Sequence, residues 1–306
     1  MTENIKQQMH FVAFLDLLGY KDFFRKNEHE VQTFLKTINE ALGIAMNDTN
    51  EAYERTPEYY RPQIKMFSDN ILIAIRSSNK NSEDVLPYLN LVRIVAHIQK
   101  IFITKYQLFL RGGIAKDMFY FGKEYVFGKA LIKAYEMEQL AIYPKINLSD
   151  KYVEGIIKHI KEKKGQYKSL ANILIDVVGK ERDGTYFINY LPTHPWGENI
   201  DESFGINSIF ADDITSLGRD DDNKKYETIK AHKYALSKKI NEYGLYNELF
   251  SQKDIDNRRK VILKYMWSVD YHNQVCKVLH FTELMINCNV QIDSRTLQPV
   301  ATIVEE

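Results

Sequence analysis

Phe11-Val12-Ala13-Phe14-Leu15-Asp16-Leu17-Leu18-Gly19-Tyr20 is the stretch that decides the reading of this chain. It is apolar apart from Asp16 and runs into a glycine turn, so residues 9–17 read as a buried strand with that one aspartate at its edge. The same arrangement returns in Lys65-Met66-Phe67-Ser68-Asp69-Asn70-Ile71-Leu72-Ile73. There, Gln63–Phe67 and Asn70–Ile75 read as two strands joined tightly at Ser68-Asp69. A third stretch, Leu110-Arg111-Gly112-Gly113-Ile114, opens a further strand on an arginine and is followed by Val126-Phe127-Gly128-Lys129-Ala130.

Between these strands the apolar spacing turns helical. Val31, Phe34, Leu35, Ile38, Leu42 and Ile44 predict a helix over 28–47, and Val85 to Phe102 predict one over 84–104. Residues 48–61 read as a loop. Tyr106–Ala115 and Asp117–Tyr120 read as another hairpin, Phe127–Leu140 as a helix entered through Gly128, and Ala141–Asn147 as a strand. The order predicts an α+β fold of the ferredoxin-like, split βαβ kind, an antiparallel sheet with helices. This core is expected over residues 1–150, with 151–306 as an extension packed on it. In that second half, 158–168 is basic and 173–177 and 184–190 are strand-like around an Asp183-Gly184 turn. Residues 212–225 are acidic, and 226–249 and 252–274 read as mainly helical.

Composition narrows the function classes. Lys+Arg and Asp+Glu are equal at 41 each in 306 residues, so no global positive field draws in nucleic acid. Two cysteines, Cys276 and Cys288, make neither a disulfide framework nor a zinc site, which fits reduced thiols in a cytoplasmic protein. The first ten residues lack the layout of a signal peptide, and no apolar run approaches the roughly 18–20 residues that span a bilayer. No membrane partner is expected. The eight histidines form no metal-ligand spacing, which argues against a phosphodiesterase.

Two aspartates at strand ends, joined by an arginine at the start of a third strand, suit phosphate chemistry. Mg²⁺ takes oxygen ligands and keeps several waters, so one or two carboxylates plus substrate phosphates suffice to hold it. A guanidinium matches phosphate with a rigid fork of donors. Either aspartate alone also fits a turn residue, and Arg111 alone fits a surface arginine paired with a carboxylate. Gly112-Gly113 fit a close backbone approach, to a ligand or to a neighbouring segment.

Taken together, these segments resemble the class III nucleotidyl cyclase catalytic domain over about residues 9–147. Asp16 with Gly19-Tyr20, Lys65 four positions before Asp69, Arg111-Gly112-Gly113-Ile114, and Gly128 with Ala134 and Glu138 carry the likeness. Phe-Leu-Asp-Leu-Leu-Gly-Tyr-Lys, Phe-Ser-Asp-Asn and the Phe-Gly-x-Ala-x-x-x-Ala-Tyr-x-x-Glu stretch resemble more closely the bacterial pyrimidine cyclases of Pycsar antiphage defence. Tyr143-Pro144-Lys145-Ile146, Asp183-Gly184-Thr185-Tyr186-Phe187-Ile188 and Tyr271-His272-Asn273 extend that likeness into the second half.

The resemblance implies a uridylate or cytidylate cyclase, UTP narrowly ahead of CTP. Its product, cUMP or cCMP, would activate a separate effector, and its sites would form in a homodimer. It implies two Mg²⁺ or Mn²⁺ ions per site on Asp16, Asp69 and the Leu17 carbonyl, with Asp16, Asp69 and Arg111 catalytic. Phe14, Lys65, Tyr125 and Arg111 would bind substrate, Lys65 and Tyr125 at the base.

One departure stands out. Where class III cyclases in general have an Asn and an Arg four residues apart on the helix after the glycine, this chain has Ile132 and Glu136. Another cation must then meet the developing charge, with Lys129, Lys133 and the 158–168 segment as candidates. Rival readings are a silent nucleotide sensor, an adenylate or guanylate cyclase, and a polymerase-like palm enzyme. The diguanylate form of the last lacks its Gly-Gly-Asp/Glu-Glu-Phe hairpin here. His272 and the two cysteines read as core residues.

Overall fold

Strand β1, Gln8–Leu18, is covered on both faces, and its alternation divides the protein's interior in two. Phe11, Ala13, Leu15 and Leu17 point into the larger core, with Phe34, Val85, Leu89 and Phe102. Val12 and Phe14 point the other way, into a smaller core with Leu72, Ala74, Ala115, Phe119, Ala130 and Ala134. A strand that alternates between two dry faces has no polar side, which is why 11–15 reads as an unbroken apolar run. The computed structural model describes residues 6–21, 31–47, 61–78, 81–162, 174, 177–181, 183–191, 222–244, 251–293 and 298–303.

Around β1 run α1 (Val31–Asn47), β2 (Gln63–Phe67), β3 (Asn70–Arg76), α2 (Asn81–Tyr106) and β4 (Phe109–Phe121). The strand order β2-β3-β1-β4 is the ferredoxin-like order, so the expected α+β class is what the chain forms. β1 is antiparallel to both β3 and β4, with Asp16 opposite Asn70 on one side and Arg111 on the other.

The expected break in β4 is absent. One thirteen-residue strand runs through Lys116 and Asp117 and turns back on β5 (Val126–Gly128). Lys116 is buried and paired to Asp84 of α2 at 2.5 Å, while Asp117, on the opposite face, meets Lys133 at 2.6 Å. These charges, which look like a turn in the sequence, are each satisfied across the sheet. The Asp84 carboxylate also accepts from the Ser77 hydroxyl and the Ser78 amide and hydroxyl.

Helix α3 (Lys129–Leu140) starts directly after Gly128 and lies on the smaller core. It sits close because Gly113 leaves room: a Cβ there would come 2.4 Å from the Met137 Cβ and 2.6 Å from the Ala134 carbonyl. A Cβ on Gly112 would strike the Phe14 carbonyl in the same way. The glycine pair thus serves packing between neighbouring segments. The strand expected over 141–147 shrinks to β6 (Ile146–Leu148), which runs parallel to β4.

The second half completes the sheet. After α4 (Asp150–Glu162), β7 (Val178–Lys180) and β8 (Tyr186–Ile188) add to the free edge of β6. The strand expected over 173–177 therefore lies at 178–180 instead, with the turn at Asp183-Gly184 as read. Two long helices, α5 (Asp222–Gly244) and α6 (Gln252–Leu279), pack on the larger core. A hairpin of β9 (Cys288–Asp293) and β10 (Gln298–Ile303) follows, for which the sequence offered no expectation. The loop positions 48–60, the basic stretch beyond 162 and the acidic stretch 212–221 lie outside the described residues. No helix among the described residues is long and apolar enough to cross a membrane.

Candidate active site

Asp16 is carried to the end of β1 and Asp69 to the tight turn between β2 and β3. The Leu17 amide donates to the Asp69 carbonyl at 2.9 Å, which ties the two together. In an antiparallel pair a residue's N–H and C=O point to the same side, so the Leu17 carbonyl also faces the turn that carries Asp69. The turn needs a left-handed residue, supplied by Ser68 at φ 56°, and β1 is ended by Gly19 at φ 83°. Asp16, Leu17 and Asp69 line one cleft of about 370 Å³, with Tyr20 and the exposed Lys21 at the same end.

Arg111 stands behind Asp16. Its Nε donates to Asp16 Oδ2 at 2.9 Å and lies 2.7 Å from Glu138 Oε1 on α3. Both partners are therefore met through Nε, and the terminal amino groups of the fork are not the ones used. Glu138 is 1% exposed, and burial pushes its carboxyl above the ordinary range, while Arg111 pulls it back. The pair also depends on Gly113, because α3 must lie against β4 for Glu138 to reach the arginine.

The donor set fits a hard divalent cation. Every group offered is an oxygen: two carboxylates and a carbonyl. Arg111 occupies Asp16 Oδ2 and the Asn70 side-chain amide donates to Asp69 Oδ1 at 3.2 Å. Among the described residues no cluster of three or more His, Cys, Asp or Glu side chains has metal-binding spacing, so substrate oxygens and water would complete the shell.

The substrate-binding candidates fall elsewhere. Phe14 is buried in the smaller core, its ring edge-on to Tyr135 at 5.6 Å and near Phe67 at 6.3 Å. Lys65 donates to the carbonyls of Gly122 and Lys123 at 2.6 and 2.8 Å, in the β4–β5 turn that also carries Tyr125. Lys65 thus docks on the turn that carries Tyr125, yet neither residue lines the Asp16 cleft. Of the cations considered from sequence, Lys133 is paired to Asp117, and Lys158 to Glu162 at 3.9 Å. Ile132 and Glu136 are both exposed on α3, facing away from their own sheet.

Sequence reasoning missed Lys264. It lies on α6 and lines the cleft together with Val261 and Tyr265. Burial lowers its pKa first and Arg111 lowers it further, against the pull of Asp16 and Glu138. Its separation from Asp16 along the chain hides it, and its neighbours Ile262 and Tyr265 are buried, so the stretch reads as an ordinary packed helix.

No protein-family model matches the sequence, and no curated protein does. Among solved structures, the adenylyl cyclase CyaB from P. aeruginosa is 13% identical, with a TM-score of 0.38, over 61% of this chain and 96% of that one. The monomeric guanylyl cyclase domain of the RhoGC fusion protein from the aquatic fungus Blastocladiella emersonii is 14% identical, with a TM-score of 0.39, over 60% of this chain and 96% of that one. The activities of those two proteins are theirs and assign none to this chain.

Proposed function

We propose that this chain is a nucleotidyl cyclase that converts a pyrimidine nucleoside triphosphate, UTP ahead of CTP, into its 3′,5′-cyclic monophosphate and pyrophosphate. The observation that carries the proposal is the convergence of Asp16, Leu17 and Asp69 on one cleft with Arg111 held against Asp16. Those are the residues that the motif resemblance singles out, and they come together from three strands. The pyrimidine preference rests on the resemblance of the sequence motifs alone.

Asp16, Asp69 and the Leu17 carbonyl would hold Mg²⁺ or Mn²⁺. A divalent ion there would neutralise charge on the triphosphate and lower the pKa of the ribose 3′-hydroxyl. The chain's own groups orient and stabilise. The Arg111 fork, fixed by Asp16 and Glu138, offers its terminal amino groups to phosphate oxygens, and such preset donors cost no reorganisation as charge develops. In the reaction a bond forms between the 3′-oxygen and the α-phosphorus, the α–β bridging bond breaks, pyrophosphate leaves, and the hydroxyl proton passes to solvent.

The base would be read by a second copy of the chain. Lys65 and Tyr125 lie outside the cleft, which is what a shared site between two copies requires of them. The exposed apolar residues Phe67, Tyr125, Ile132 and Tyr135 would give such a copy surface to cover. The cyclic nucleotide would act on a separate effector protein.

Purified protein incubated with each of the four nucleoside triphosphates and Mn²⁺ or Mg²⁺, with mass detection, tests this. Cyclic UMP or CMP is the expected product, abolished in Asp16→Ala and Asp69→Ala. Product retained in both variants would refute the site assignment. A purine cyclic product alone would refute the pyrimidine preference and leave the cyclase. Nucleotide binding without turnover would favour a sensor, a reading supported by the exposed Ile132 and Glu136.

A further inference from the structure

We propose that Lys264 is a phosphate-binding residue of the Asp16 cleft, holding the polyphosphate tail of the bound nucleotide from the opposite wall to the aspartates. The proposal rests on the reading of this cleft as a nucleotide site and adds to it a cation supplied by the second half of the chain.

The charges of the cleft call for such a residue. Asp16, Asp69 and Glu138 face Arg111 and Lys264, with Lys21 at the exposed end of the cleft. Arg111 lies behind Asp16 and is already held between two carboxylates, at 2.9 and 2.7 Å. Lys264 stands on the cleft wall itself. Its ammonium feels Asp16 and Glu138 across a distance, and among the described residues no ion pair within 4 Å engages it. The carboxylates have their counter-ion without it. A half-buried lysine with no ion-pair partner among the described residues has donors to offer an incoming anion.

Its position is also fixed. One residue on, the Tyr265 ring packs edge-on against Phe109 at 5.1 Å. Three residues on, the Trp267 indole donates to Glu181 at 2.5 Å and stacks on Tyr271 at 5.4 Å. Lys145 joins the same glutamate at 2.6 Å and covers the indole at 5.7 Å. The Lys145 carbonyl in turn accepts from the Gly112 amide, one residue from Arg111. α6 is thus braced against the strand that carries Arg111, so the two cations approach the cleft from different sides at a set separation. Ile132 and Glu136 on α3 bring no positive charge and Lys133 of that helix is paired to Asp117, whereas Lys264 stands on the cleft wall.

Two measurements on the full chain test this. In the first, inorganic tripolyphosphate with Mg²⁺ is titrated calorimetrically into wild type, Lys264→Gln and Lys264→Arg. Loss of one charge-assisted contact predicts affinity weaker by about tenfold in Lys264→Gln, near wild type in Lys264→Arg, and an unchanged melting temperature. In cyclisation assays the same glutamine variant is expected to raise KM more than it lowers kcat. The second needs no variant: Lys264 acetylation in wild type, read by mass spectrometry, is expected to fall when tripolyphosphate and Mg²⁺ are present. Equal affinity in wild type and Lys264→Gln, or equal acetylation with and without tripolyphosphate, would overturn the proposal. If wild type binds tripolyphosphate through Lys264 but cyclises none of the four nucleotides, the lysine assignment stands and the cyclase reading falls. If it cyclises with Lys264 substituted at no cost in KM or in tripolyphosphate affinity, the reverse holds.

Discussion

Acidification is expected to unfold this protein through two histidines in its interior. Tyr190, His232, His272 and the Leu284 carbonyl form a buried chain with separations of 2.9, 3.0 and 2.9 Å. The chain has one consistent neutral arrangement. His272 Nε2–H donates to the Leu284 carbonyl, which leaves its Nδ1 to accept. His232 Nδ1–H donates to that nitrogen, and His232 Nε2 accepts from the Tyr190 hydroxyl. A proton added to His272 Nδ1 would set two N–H groups against each other at 3.0 Å. Burial accordingly pushes His272 down from 6.5 to about 4, and pushes His232 well below its ordinary value. Between those limits the unfolded chain binds a proton at each position and the folded chain does not. Stability therefore rises with pH across the window: it is fully present above 6.5 and is lost as pH falls toward 4. At about 1.4 kcal/mol per pKa unit, His272 alone accounts for about 3 kcal/mol, a large part of a domain's ordinary stability. Urea unfolding at pH 7, 6, 5 and 4 measures the loss, and His272→Gln separates it from carboxylate titration, since that variant should show a shallower slope. Imidazole titration by NMR gives the folded-state values directly. A wild-type slope equal to that of His272→Gln, or a His272 resonance titrating near 6.5, would refute the reasoning.

Three further outcomes follow from particular contacts. Gly113→Ala puts a methyl 2.4 Å from the Met137 Cβ and should cost about 1–3 kcal/mol in denaturant unfolding, with loss of activity as Glu138 is lifted from Arg111. Lys116→Met alone leaves Asp84 buried without its cation and should cost about 3–5 kcal/mol, much of it recovered in the double variant with Asp84→Leu; a double variant no more stable than the single would count against a buried-charge penalty. Trp267→Phe removes the donor to Glu181 while keeping the stack on Tyr271, and should lower stability by about 1–3 kcal/mol in thermal unfolding without changing the secondary structure seen by circular dichroism.

The ferredoxin-like part was legible because its signals are local. β1 is dry on both faces, and Ser68-Asp69 breaks the hydrophobic run between β2 and β3 at the residue that takes a positive φ. Asp16, Asp69 and Arg111 could be singled out because each marks the end or start of such a run. What failed were inferences in which charge was taken for exposure. Lys116-Asp117 looked like a turn and lies inside a continuous strand, because its partners Asp84 and Lys133 come from two helices that no local pattern connects to it. Lys264 was hidden for the same reason: only the folded chain brings α6 beside β1. The three-residue strands β6, β7 and β8 are too short for alternation to declare itself, so their borders were misjudged.

The edge of β6 carries one more consequence. Residues 146–148 are hydrogen-bonded on one side to β4 and on the other to β8, which the chain reaches only some forty residues later. A protein cut after residue 150 would present that edge, and the larger core behind it, without the strands and helices that close them. Open edges of this kind recruit other chains. Expression of the first 150 residues alone should therefore yield self-associating material. On the ribosome the same segment must wait for its own downstream sequence, which makes the interval before residue 188 emerges the time when a nascent chain most needs a chaperone.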